Sequence, residues 1–137
     1  MQPDTEQIQE QDYREQIATI RNGIPVSDAE SLRADWEISA NRFAEILGTS
    51  TRQWSRLKKH VGTSLSLGAV ETDRLVRMKS TLAQADSIFD DREKAVAWIN
   101  RPNKALGGEV PLTLMDTDAG IRQIETILTR LEFGVYS

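Results

Sequence analysis

The chain predicts an all-α fold on two observations. No segment alternates apolar and polar residues with β-branched enrichment, and apolar residues recur at spacings of three and four in five or six separate stretches. At 137 residues the chain sustains one ordinary core, or two small helical units sharing one, but not two large independent domains. Hydrophobic content of 39% and charged content of 28% are ordinary for a globular protein, and no apolar run approaches the ~20 residues that span a bilayer.

The first eleven residues, polar and rich in Gln and Glu, are expected to fray as a disordered tail. From residue 12 a helix carrying Tyr13, Ile17 and Ile20 runs to Asn22, with Gly23 as its C-cap. After Ile24 and Pro25, Ser27 followed by Glu30 makes a capping-box pattern. Leu32 and Trp36 then fall four apart on one face of a helix expected to end near Ile38. Two short helices occupy residues 40–59. The loop VGTSLSLG follows, its Gly62, Ser64, Ser66 and Gly68 breaking the periodicity.

A long helix comes next, the expected spine of the fold, with Val70, Leu75, Met78, Leu82, Ala85 and Phe89 on its apolar face. Asp90 with Glu93 marks the start of another helix, whose buried stripe is Ala95, Trp98 and Ile99. Pro102 and Pro111 each lack a backbone donor, and Gly107 and Gly108 allow positive φ, so the helix carrying Trp98 must stop and turn. Asn103 suits an Asx-turn in that loop. From an N-cap at Asp116 or Thr117, Ile121, Ile124, Leu128 and Leu131 line a last amphipathic helix that stops at Gly134.

Residues 40–59, ANRFAEILGTSTRQWSRLKK, meet the needs of a helix-turn-helix. Ala44 is small where two helices cross, Gly48 permits the tight turn, and Thr49 or Ser50 caps the second helix. Phe43, Leu47, Trp54 and Leu57 form the shared core, with the Trp54 indole as a core plug. Ser50, Thr51, Arg52, Ser55, Arg56 and Lys59 are left on the outer face as candidate DNA contacts, since arginine reads guanine bidentately and lysine or serine holds phosphate. Charge supports this. Residues 40–60 hold Arg42, Arg52, Arg56, Lys58 and Lys59 against Glu45 alone, a net of +4; with −4 overall, the remainder carries −8. A basic island on an acidic body suits a single face that meets phosphate.

Enzymatic chemistry finds no support. Zero cysteines and a single histidine, His60, leave no thiolate site and no Ser/His/Asp arrangement, and no Gly-rich phosphate loop precedes a helix. Asp90, Asp91, Glu93, Asp116 and Asp118 cluster at helix starts, where they complement the helix dipole. No catalytic residue, metal or cofactor is expected. MQPDTEQIQEQDYRE has neither a basic start nor an apolar stretch, so no secretory signal is read and the cytoplasm is the expected location.

The C-terminal third carries the most specific punctuation. Trp98 opens a run reading WINRPNKALGGEVPLTLMDTDAGI, and the chain closes with LEFGVYS. This run resembles the C-terminal domain of the MbcA/ParS/Xre antitoxin family, the partners of RES-domain toxins. Pro102, Asn103, Ala105, Leu106, Gly107, Gly108, Pro111, Leu112, Gly120 and Gly134 fall at its pattern positions. The likeness extends over roughly residues 24–137, is strongest from Thr72 onward, and departs from the family at Trp54, at Arg56, Leu57 and Lys58, at Asp91 and at Glu109.

The resemblance implies a tail over 1–11, a helical region over 12–66 with an Xre-like helix-turn-helix at 40–59, and a toxin-binding domain over 67–137. It implies an antitoxin of a type II toxin–antitoxin system. Such a protein does no chemistry, but neutralises a RES-class toxin, which consumes or transfers ADP-ribose from NAD, by covering its active site. Arg122 and Arg130, opposite the last helix's apolar stripe, are candidate toxin contacts, as are Gly134, Val135, Tyr136 and Ser137. In this reading the tail enters a concave pocket, with Tyr136 as an aromatic anchor and the α-carboxylate as an anion. Autoregulation through operator DNA by a homo-oligomer, expected to be a dimer on paired half-sites, follows from the same likeness. A stand-alone helix-turn-helix transcriptional regulator is the alternative.

Overall fold

The computed structural model describes residues 5–134. Among them seven α-helices follow one another: α1 (Thr5–Asn22), α2 (Val26–Asp35), α3 (Ala40–Leu47), α4 (Thr51–Lys58), α5 (Ala69–Phe89), α6 (Arg92–Ile99) and α7 (Asp118–Glu132). Two 3-10 turns, Lys104–Leu106 and Pro111–Leu114, lie between α6 and α7. No strand occurs among the described residues, and no described helix is long and apolar enough to cross a membrane.

Helix α1 begins at Thr5, upstream of residue 12, where the sequence pattern places its start. Polar residues with straight side chains extend a helix at little cost even without burial. Helix α2 starts on Pro25 with no side-chain cap, so Ser27 and Glu30 do not form the expected box. Ser27 Oγ instead accepts from the Gly62 backbone N–H (2.7 Å), while Glu30 takes a two-pronged bond from Arg33 (2.6 and 2.8 Å). The start of α2 is held from outside: Val26 N–H donates to Leu65 O and Leu67 N–H to Ile24 O. The helix stops at Asp35, three residues before Ile38, with Trp36 as C-cap.

Helix α5 is the spine, with α1, α3, α6 and α7 packed on it. Leu75, Met78, Leu82 and Ala85 are buried on its inner face, but Val70 is 66% exposed. Val70 falls outside the stripe because it lies five residues before Leu75, about 140° away around the helix. Two threonines take buried places that periodicity did not assign. Thr72 Oγ1 accepts from the Ile24 N–H, and Thr81 Oγ1 donates to Glu125 on α7 (3.0 Å). Asp90 caps the end of α5 at φ +50°, and Asp91 is the N-cap of α6, accepting from the Glu93 and Lys94 N–H groups. The helix start thus falls one residue later than the sequence suggests.

One core joins all of this. Buried side chains run from Trp36, Ile38, Phe43, Ile46 and Leu47 through α5 to Ile99, Met115, Ile124 and Leu128. Gly120, in the first turn of α7, is buried where a Cβ would overlap the Leu114 carbonyl oxygen. Only glycine allows that approach. Arg92 on α6 lies over the Trp36 ring at 4.6 Å and donates twice to Asp86, so it ties α6 to both α5 and the end of α2.

Candidate functional site

The α3–α4 pair is built from its caps inward. Ser39 accepts from the Arg42 N–H to start α3, and Ser50 accepts from the Gln53 N–H to start α4. Gly48 turns the chain between them at φ +76°. Glycine takes that left-handed conformation without strain, and the Arg74 guanidinium, the movable end of a long side chain on α5, lies beside it. Phe43, Leu47 and Trp54 are buried, Leu57 is half-buried, and the Phe43 and Trp54 rings meet edge-on with centroids 4.8 Å apart. Ile46 joins them, a core position that the sequence pattern passed over. This is a helix-turn-helix with Trp54 as its plug.

All six outer-face candidates are exposed: Ser50, Thr51, Arg52, Ser55, Arg56 and Lys59. Their engagements differ. Ser50 Oγ is occupied as the α4 cap, and Thr51 Oγ1 donates to Asn41 Oδ1 (2.9 Å). Arg52, Ser55, Arg56 and Lys59 recur at spacings of three and four, which sets them on one stripe of α4. The island's other cations are neutralised locally, Arg42 by Glu45 (2.8 Å) and Lys58 by Glu30 (3.4 Å). Arg52, Arg56 and Lys59 make no ion pair among the described residues. The positive charge left uncompensated therefore coincides with the outward stripe.

Glu30 anchors this corner by pairing with both Arg33 and Lys58. The hydrogen bond from Arg33 is the largest influence on its carboxyl group. Together with the charges of Arg33 and Lys58, it holds the group below the usual carboxylate range against the opposing effect of burial.

At the other end, Thr117 caps α7 by accepting from the Gly120 N–H (3.0 Å). Ile121, Ile124, Ile127 and Leu128 are buried and Leu131 half-buried, one more inward position than the sequence stripe held. The outward face carries Arg122, which pairs with Asp118, and Arg130, which is exposed and makes no ion pair among the described residues. Phe133, 72% exposed, sits beyond the last turn on the same side as Arg122. The sequence reading did not single it out. Its signal was its spacing, which sets it opposite the Ile121–Ile124–Leu128 stripe. Gly134 is exposed at φ +68°, and Val135, Tyr136 and Ser137 lie outside the described residues.

Trp98, expected in the core, is only half-buried. It lies against Phe89 at 5.9 Å in a surface groove with Lys94, Arg101, Pro102 and Asn103. The adjoining loop has the expected form: Asn103 Oδ1 accepts from the Ala105 N–H, and its backbone bonds with Glu109 and Gly108.

A helix-turn-helix with uncompensated cations outward, joined through one spine to a second helical part whose last helix keeps a charged outward face, defines the class: a helix-turn-helix protein with an appended helical domain. Residues 15–78 match the antitoxin Xre-like helix-turn-helix domain, and residues 84–134 match the antitoxin Xre/MbcA/ParS C-terminal toxin-binding domain. The chain belongs to the Xre/MbcA/ParS antitoxin family.

Its relatives agree. It is 26% identical over 121 residues to "Antitoxin Xre" of Photorhabdus laumondii, and 27% over 122 residues to "Antitoxin Xre" of Yersinia enterocolitica; each alignment covers 88% of this chain and 80% of the relative. It is also 21% identical to the "Prs ADP-ribosylating antitoxin" of a Sphingobium species, over 90% of this chain and 81% of that protein.

Proposed function

We propose that this antitoxin neutralises a RES-class toxin by laying α7 and the tail after it over the toxin's NAD-binding cleft, and that it represses its own operon through α4. The observation that carries the reading is the outward face of α7, with Arg122, Arg130 and Phe133 exposed inside the stretch that matches a toxin-binding domain. Cations there suit a cleft that binds nucleotide phosphates only at its rim, so the tail is assigned to the interior, with Tyr136 as its anchor and Gly134 to Ser137 as the inserted segment. The protein acts by shape and charge and holds no reaction centre. Residues 12–66 form the DNA-facing unit and 67–137 the toxin-facing unit, working in the cytoplasm as dimers on paired half-sites.

Uncompensated charge on Arg52, Arg56 and Lys59 supports the operator role, with Ser55 beside them; Ser50 and Thr51 lie at the helix start, where backbone N–H groups also meet phosphate. The test is coexpression with the product of the adjacent gene, reading growth and intracellular NAD together. Restored growth with preserved NAD is expected. Continued NAD loss at full antitoxin expression would defeat the toxin half of the reading, and an adjacent gene without a RES-type product would favour a stand-alone regulator.

A further inference from the structure

Asn41 lies in the first turn of α3, exposed, and the operator reading gives it no part. Its Oδ1 accepts from Thr51 Oγ1 at 2.9 Å, so the start of α3 is tied to the first residue of α4. That bond decides how each side chain can meet DNA. A hydroxyl has one proton, and Thr51 donates its own to Asn41, so what remains on its oxygen can only accept. Phosphate oxygens also only accept, which leaves the Thr51 side chain nothing to offer them. An Asn amide, by contrast, keeps both N–H donors when its carbonyl oxygen is engaged. Neither of those on Asn41 has an acceptor among the described residues.

The surroundings of that amide suit a phosphate. In a helix-turn-helix the second helix enters the groove by its N-terminal residues while the first crosses the sugar-phosphate strand, and Asn41 stands at the corner where the two helices begin. Arg52, next after Thr51, is exposed and in no ion pair among the described residues. The Ser50 hydroxyl accepts from the Gln53 N–H and so keeps its own proton for an acceptor. Glu45, one turn along α3 from Asn41, would repel a strand, but Arg42 pairs with it at 2.8 Å.

We propose that Asn41 is a further DNA contact of this protein, donating its side-chain amide to a backbone phosphate beside the start of α4, and that the Thr51 hydroxyl positions this amide and is not itself a contact. This deepens the operator reading given above and rests on it. Phosphate contacts fix the register of a protein on the duplex and carry no sequence information. Asn41 therefore sets how α4 sits in the groove and leaves the base edges to the α4 stripe.

Fluorescence anisotropy of the full chain on two duplexes tests it, one covering the region upstream of its own gene and one unrelated and of equal length. Asn41→Ala is expected to weaken binding roughly ten-fold on both. The slope of log K against log salt should stay at the wild-type value, because a neutral amide releases no counterion. Asn41→Asp keeps the acceptor for Thr51 but sets an anion against the strand, and should bind more weakly still. Thr51→Val should lose part of the affinity and Thr51→Ser restore it, while Thr51→Val should cost nothing more in the Asn41→Ala background. Both positions are exposed, so melting temperatures should match the wild type. Asn41→Ala binding as tightly as the wild type, a loss confined to the upstream duplex, or a full cost of Thr51→Val in the Asn41→Ala background would overturn this contact and leave the operator reading standing. A wild type that binds neither duplex would defeat both.

Discussion

Trp54 is fully enclosed, edge-on to Phe43, yet its indole Nε1 has no acceptor among the described residues. An unsatisfied buried donor costs about 1–3 kcal/mol, and the ring's burial outweighs it. Trp54→Ala should therefore cost about 3–5 kcal/mol in chemical denaturation, and it should loosen α4 from α3. On the outer side of the same helix the expectation is electrostatic. Arg52→Ala with Arg56→Ala should weaken DNA binding at every salt concentration and make the slope of log K against log salt shallower by roughly 2, since each lost phosphate contact removes about 0.9. Equal slopes in a titration series would show that these arginines do not meet phosphate.

Among the elements, the Glu30–Arg33 pair of α2 gives a pH signature. A carboxyl held below its ordinary value stabilises the fold fully above the unfolded value of about 4.3, and that stabilisation is lost as pH falls through the lowered folded value. Glu30→Gln should then be less stable than the wild type by about 1–2 kcal/mol at neutral pH. The gap should close in acid. Thermal unfolding of both proteins at pH 7 and near pH 3 checks it, and a gap that stays constant would contradict the argument.

The same helix shows what the sequence leaves unread. Ser27 and Glu30 have the spacing of a cap, but Glu30 is taken by Arg33 one turn on in the same helix and Ser27 is used across the fold, on Gly62, and no local pattern reports a partner 35 residues away. Periodicity located every helix and most of each inward stripe. It could not say how wide the cover over a stripe is, which is why Ile46, Ile127, Thr72 and Thr81 proved buried while Val70 and Trp98 lie partly or largely outside. The α4 outer face was legible because charge and apolar spacing agreed there. Phe133 drew no reading because a lone aromatic after a helix's last turn forms no pattern of its own, although its spacing sets it opposite the stripe.

For the whole molecule, the proposed division of labour is separable at its far end. Gly134 has open space around it and is exposed, so deleting Gly134 to Ser137 should leave the melting temperature unchanged while abolishing protection of cells from the toxin. Protection undiminished in the truncated protein would remove the tail-insertion model and leave the α7 face as the only contact. At the near end, α3 of the operator-facing pair packs on α5, and Arg92 of α6 lies over Trp36 at the end of α2.

Helix α5 passes without a break from the stretch matched to one domain into the stretch matched to the other. Its 21 residues make a rod about 31 Å long. Scission of the gene between codons 78 and 84 would leave each fragment with half a rod and an uncovered greasy flank, so the fragments should precipitate alone and reassemble only when made together. Antitoxins of this form cannot trade their heads and tails as free cassettes. Grafts that respect the rod should splice within it, keeping the inward residues of both donors in step.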